Sequence, residues 1–148
     1  QDYMKKCVDH ALLGGELVEI LIVDDGSTDD TAKIADAYAE KYPTIVKAIH
    51  KENGGHGDAV NTGIAHATGV YFKVVDSDDW LDKEAYKQVL KVLKKLVEDE
   101  KDLDVLLSNS WENGKGLMVL SPTISMIRWN AGRSVSCVIM VLCRRNGS

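Results

Sequence analysis

Several protein classes are excluded by what this chain does not contain. Its three cysteines (Cys7, Cys137 and Cys143) are odd in number and lack CxxC spacing. That pattern suits reduced thiols in a cytosolic compartment better than a disulfide framework. No signal-peptide pattern opens the chain. The longest apolar run, Val135 to Cys143, is far too short to span a bilayer. A net charge of −5 argues against a nucleic-acid binder, which would carry a basic stripe. Internal repeats, low-complexity segments, zinc-ligand spacing and Ser–His–Asp logic are all missing. Neither a Walker loop nor a GxGxxG fingerprint occurs. Acids are absent beyond Glu112, although the chain has 23 of them, and arginine is absent before it. This compositional change divides the chain into a main portion, 1–114, and an atypical tail, 115–148, read as edge strands or a segment of different history.

What remains is an ordinary globular composition, 45% hydrophobic and 28% charged over 148 residues, enough for one domain with a core. Met4, Cys7, Val8, Ala11 and Leu12 recur at helical spacing, and Gly14-Gly15 ends that helix. Leu17 to Val23 is a β-branched run that stops at Asp24-Asp25 and predicts a strand. Ser27 or Thr28 is the expected cap of the next helix, with Asp29 and Asp30 in its first turn. Thr44 to Ile49 is a second strand. Then comes Asn53-Gly54-Gly55-His56-Gly57-Asp58, a loop in which His56 sits centrally. The helix after it is expected to turn Ala59, Val60, Gly63, Ile64 and Ala67 inward. Val70 to Val75 is a third strand, and Asp82 caps a longer helix with Ala85, Val89, Leu93, Leu96 and Val97 as its apolar stripe. Leu103 to Leu107 reads as a further strand, and Asn113-Gly114 as a hairpin turn. Alternation of this kind predicts an α/β fold, a three-layer α/β/α sandwich around a mainly parallel sheet. One element is missing: such a domain ordinarily opens on a buried strand, and this chain opens on a helix. Ser134 to Cys143 is the one unassigned run able to fill that place. Otherwise the fold is truncated there, and an exposed seam would favour a homodimer.

The chemistry concentrates at strand ends, where open α/β sheets bind ligands. Asp76 and Asp78, alternate residues after the third strand, can face one ion. Mg²⁺ and Mn²⁺ suit one or two carboxylates completed by substrate phosphates. A capping or turn role is the plainer alternative, and Asp102-Leu103-Asp104 is a second DxD without the strand-end position. Asp25 is read as a nucleotide contact, while structural support is nearly as good an account of Asp24. The amides of Asn53, Gly54 and Gly55 could cradle phosphate at a helix N-terminus. Asp58, which would repel phosphate, is assigned to a helix cap or a sugar hydroxyl. His10, His50 and His66 read as isolated structural or surface residues, and Cys7 as a small core residue.

Taken together, Val23-Asp24-Asp25-Gly26-Ser27-Thr28-Asp29, Asn53-Gly54-Gly55, Asn61-Thr62-Gly63-Ile64, Ala67-Thr68-Gly69 and Asp76-Ser77-Asp78-Asp79 stand in order over about residues 3–114. The set resembles the nucleotide-sugar-binding portion of a family 2 glycosyltransferase of the GT-A fold. That resemblance implies a nucleotide-sugar donor such as a UDP-sugar, a saccharide or lipid-linked acceptor, and transfer with inversion. It places Asp25 at the base, Asp76 and Asp78 near ribose and metal, and implies Mn²⁺ or Mg²⁺. The expected setting is the cytoplasm, with peripheral association at the inner face of the membrane, in cell-surface polysaccharide or glycoconjugate synthesis. The family's base ordinarily lies beyond this strand. With no acid after Glu112, no base is identified, and Asp79 beside the metal pair is not promoted to that role. The alternatives are an inactive or non-catalytic nucleotide-sugar-binding module and a sugar-nucleotide pyrophosphorylase, although the latter needs a basic glycine-rich loop that is absent.

Overall fold

The computed structural model describes residues 2–101 and the strand 137–142. Helix α1 (Asp2–Ala11) runs into a 3₁₀ segment, Leu12–Leu17. There follow β1 (Val18–Asp25), α2 (Thr31–Lys41), β2 (Val46–Lys51), α3 (His56–His66), β3 (Tyr71–Asp76), α4 (Lys83–Glu98) and β4 (Cys137–Leu142). The expected strand at 103–107 and the turn at 113–114 lie outside the described residues.

The four strands form one sheet in the order β2-β1-β4-β3. Strands β1 and β2 are parallel, and β4 runs antiparallel to both β1 and β3. Three of the four therefore point the same way, with β4 opposed between two of them. Of the two alternatives, the filled place is the one observed: β4, from the one run able to fill it, is inserted in the middle of the sheet. Its backbone pairs on both sides, so the seam from which a homodimer was expected is closed.

Every residue of β1 is buried, as a strand paired on both sides and covered on both faces requires. Its alternate residues sort into two cores. Val18, Ile20 and Ile22 pack with α1, α2 and α4, including Met4, Val8, Ala35, Tyr86, Leu90 and Leu93. Leu21 and Val23 pack with Ala59 and Val60 of α3. The three-layer expectation follows directly from this alternation. Glu19 faces the α3 layer fully buried, yet it is satisfied. Lys47 Nζ donates to Oε1 at 2.6 Å, and Thr68 gives its amide (3.0 Å) and hydroxyl (2.9 Å) to Oε2. Burial pushes that carboxyl up, but these donors hold it below its ordinary value. The grip fixes the turn from α3 into β3.

Several local expectations are corrected. Helix α2 starts at Thr31, not at Ser27 or Thr28, because polar side chains capture the intervening backbone. Asp24 Oδ1 accepts from the Ser27 amide at 3.0 Å, and Asp29 Oδ1 accepts from the Thr31 amide at 3.0 Å. Helix α3 starts at His56, so that histidine belongs to its first turn rather than to mid-loop. Ile64 is 52% exposed, since the face centred on Ala59, Val60 and Gly63 leaves it at the edge. On α4 the stripe is Tyr86, Leu90 and Leu93, flanked by Val89 and Val97, and Ala85 lies exposed beside it. The Asp82 cap holds: its Oδ1 accepts from the amides of Glu84 (3.1 Å) and Ala85 (2.9 Å). Among the described residues no helix is long and apolar enough to cross a membrane.

Candidate functional site

Strand register brings the acidic motifs to one end of the sheet. Val23 of β1 and Asp76 of β3 both pair with Cys137, one on either side of β4. Two strand spacings separate them, roughly 10 Å. The β1 end and the β3 end thus lie at the same edge of the sheet, and the N-terminus of α3 comes close to the β3 end. His56 Nδ1 lies 3.9 Å from Asp76 Oδ1.

On the β1 side Asp24 and Asp25 are the last strand residues, only 4% and 2% exposed. They point to opposite faces, and each carboxylate accepts from more than one donor. Asp25 Oδ1 accepts from Lys51 Nζ at 2.5 Å and the Gly54 amide at 2.9 Å, and Oδ2 accepts from the Gly55 amide at 2.7 Å. Burial pushes this carboxyl up, and the lysine and two amides bring it below the usual carboxylate range. Two of the three amides that the loop offered to a phosphate, those of Gly54 and Gly55, are therefore given to Asp25. Asp24 accepts from Ser27 and, at 3.1 Å through Oδ2, from His50 Nδ1. Burial opposes ionisation there as well, but Ser27 and His50 hold that carboxyl low.

The two loops are in direct contact. Gly26 has a φ of 72°, and a Cβ on it would lie 2.9 Å from the Asn53 amide nitrogen. A side chain at 26 would both strain the backbone and push the loops apart. Asp58 in the first turn of α3 pairs with Lys51 Nζ at 2.7 Å. It does not cap α3, whose N-cap residue is Gly55.

On the β3 side Asp76 ends the strand and Asp78 and Asp79 lie exposed in the turn, where the Asp79 amide donates to the Asp76 carbonyl at 2.9 Å. Burial first, and then the charges of Asp78 and Asp76, raise the Asp79 carboxyl above its ordinary value. Like charges crowded this way are what a cation relieves. Two hard carboxylates suit Mg²⁺ or Mn²⁺ with phosphate oxygens completing the shell. Among the described residues no group of three or more His, Cys, Asp or Glu side chains is arranged to hold a metal ion unaided. Asp76 and Asp78 fit the shared kind of site, not an all-protein cage.

Helix α1 braces this turn from behind. Cys7 Sγ donates to the Asp76 carbonyl at 3.8 Å, and His10 Nδ1 meets the Leu81 carbonyl at 2.6 Å. A carbonyl can only accept, so Nδ1 carries the proton. Lys6 Nζ sits 3.3 Å from the ring centroid of Trp80. Burial, with the charges of Asp79, Asp76 and Asp78, pushes the Cys7 thiol up to about 12, so it stays protonated and inert. Cys7 is the core residue that its helical spacing suggested.

Sequence reasoning missed two residues. Lys51 and His50 are the register partners of Asp25 and Asp24 across β1 and β2. His50 is not isolated: Nδ1 meets Asp24 and Nε2 meets Asp36 Oδ1 at 2.9 Å. Aligning the two parallel strands by their charged ends would have found both pairs.

Comparison with known proteins gives the family. The model of a family described as glycosyl transferase family 2 matches residues 1–124. Glycosyltransferase GlyG of Streptococcus pneumoniae serotype 4 is 39% identical over 109 residues, covering 72% of this chain and 34% of its own length. Glycosyltransferase GlyA of the same organism is 35% identical over 118 residues, 79% of this chain and 16% of its own. The uncharacterized glycosyltransferase YibD of Escherichia coli K12 is 42% identical over 93 residues, 63% of this chain and 25% of its own. The chain thus spans about a third or less of the length of these relatives. No solved structure matches it. With a family match across most of its length, and with its acidic β1 and β3 ends at one edge of the sheet, the chain belongs to glycosyl transferase family 2 and has the GT-A α/β fold.

Proposed function

We propose that this chain is the donor-binding portion of a metal-dependent, inverting glycosyltransferase that uses a nucleotide-diphosphate sugar, a UDP-sugar by preference. The observation that carries the reading is the shared row of the sheet: Val23, next to the Asp24-Asp25 end, and Asp76 flank the same residue of β4. Asp25 is assigned to the base, with Asp24 and the Asn53-Gly54-Gly55 loop supporting it. Asp58 is assigned to the sugar side, Asp76 to ribose and cation, and Asp78 to the cation. Mg²⁺ or Mn²⁺ bound there would supply positive charge to a departing diphosphate. The protein's own contribution is to crowd carboxylates at the β3 end and to hold their turn against α1.

The acceptor is assigned as a saccharide or lipid-linked glycan, in a cytoplasmic reaction at the inner face of a membrane that serves surface polysaccharide or glycoconjugate synthesis. No residue is assigned as the catalytic base that would activate the acceptor hydroxyl. Calorimetric titration with UDP-sugars and Mn²⁺ tests the reading. Asp78→Ala should weaken cation-dependent binding about tenfold or more, the value of one charge-assisted contact. Binding that is indifferent to Mn²⁺ and to Asp78→Ala would remove the metal assignment, and no binding at all would remove the donor site.

A further inference from the structure

We infer that Lys51 is a positioning residue for nucleotide recognition, holding the Asp25 carboxylate in place, and that it does not bind phosphate. The inference rests on the donor-site reading above and goes beyond it. A lysine beside a glycine loop and a helix N-terminus would ordinarily be taken as a phosphate ligand. The geometry points elsewhere.

A lysine ammonium has three N–H donors and no acceptor. All three are committed: Nζ reaches Asp25 Oδ1 at 2.5 Å, the Glu52 carbonyl at 2.5 Å and Asp58 Oδ2 at 2.7 Å. The side chain is only 18% exposed. A phosphate could recruit this ammonium only by displacing one of those partners, and two of the three carry negative charge.

The loop is shaped around the lysine. A Cβ on Gly54 would collide with the Asp58 carboxylate and lie 2.9 Å from Lys51 Nζ. Glycine therefore lets the backbone close over the ion pair, and that closure carries the Gly54 and Gly55 amides onto Asp25. A carboxylate offers about four lone-pair positions. Lys51 and Gly54 take two on Oδ1 and Gly55 takes one on Oδ2, so among the described residues one acceptor position on Oδ2 has no donor, and a ligand N–H would fill it.

Without the ammonium, Asp25 and Asp58 would be neighbouring like charges, one of them buried with its counter-ion gone. Asp25 would then turn away or take up a proton, and either change spoils the open acceptor. The effect would fall on recognition of the base, not of the diphosphate.

Uridine, which has no phosphate, and UDP separate the two roles. Calorimetric affinities for both probes are compared between the wild-type chain and Lys51→Met. The positioning role gives an equal loss for uridine and UDP, on the order of tenfold or more. A loss for UDP with uridine unchanged identifies a phosphate contact and overturns the inference. Wild-type affinity for both probes in a folded Lys51→Met also overturns it, by reducing Lys51 to structural support. If Lys51→Met does not fold, Asp58→Asn removes one anchor and leaves the charge. A smaller but equal loss is expected there, and an unequal change or none overturns the inference. Failure of the wild-type chain to bind either probe would instead strike at the donor-site reading, and this inference would fall with it.

Discussion

His50 joins two elements through one titratable ring, with Asp36 of α2 on Nε2 and Asp24 of β1 on Nδ1. Both partners can only accept, so the doubly protonated ring satisfies both. The hydrogen bonds to Asp36 and then Asp24 raise its pKa above the ordinary histidine value, against a smaller lowering by burial. A raised folded-state value stabilises the fold fully below about pH 6.5, the unfolded value, and the contribution is lost as pH climbs through the folded value. The ring is 42% exposed, so solvent screens part of the effect. Denaturation midpoints measured from pH 6 to pH 9 should therefore decline modestly in the wild-type chain, and His50→Gln should lack that component. Identical pH profiles for the two would show that the bridge contributes nothing. No hydrophobic pattern announces such a residue: His50 lies on a strand where only the register with Asp24 reveals its partner.

At the scale of elements, α1 is more than a cover for the sheet. Residues Lys6, Cys7 and His10 lie along one face of the helix and meet Trp80, Asp76 and Leu81 respectively. The turn carrying Asp78 and Asp79 is thus held at both ends by a helix distant in sequence. Replacing His10 by alanine removes a hydrogen bond worth about 0.5–1.5 kcal/mol. Amide hydrogen exchange should then quicken through residues 77–81 while the centre of α4 keeps its protection. Uniform acceleration across the chain would mean that α1 stabilises the whole fold and not this turn. The elements themselves were legible because β1, α4 and the Asp82 cap obey local rules of period and capping. The start of α2 was not, because Asp24 and Asp29 outcompete the helix for the amides of Ser27 and Thr31. The brace from α1 was also hidden, since it depends on contacts that no local pattern records.

For the molecule as a whole, the decisive fact is the antiparallel β4 between β1 and β3. Its apolar run was recognisable as a strand able to fill the vacancy, but not its direction, which depends on residues far away in sequence. Ile139 pairs with Leu21 on one side and Val74 on the other. A central strand commits each N–H to one neighbour, so Ile139→Pro breaks the ladder whichever side that is. It should cost about 1–3 kcal/mol for the stranded acceptor alone and lower the denaturation midpoint sharply. An unchanged midpoint would mean that β4 is dispensable. The position of β4 also separates the order of synthesis from the order of assembly. A nascent chain that has just passed Trp80 already holds every residue of the proposed donor site, yet the strand that spaces its two halves emerges more than fifty residues later. Contacts spanning such separations form slowly, because loop closure precedes any gain from pairing. Until then β1 and β3 present unpaired edges to each other and to any passing chain. Helper proteins that shield strand edges would find their substrate in that interval.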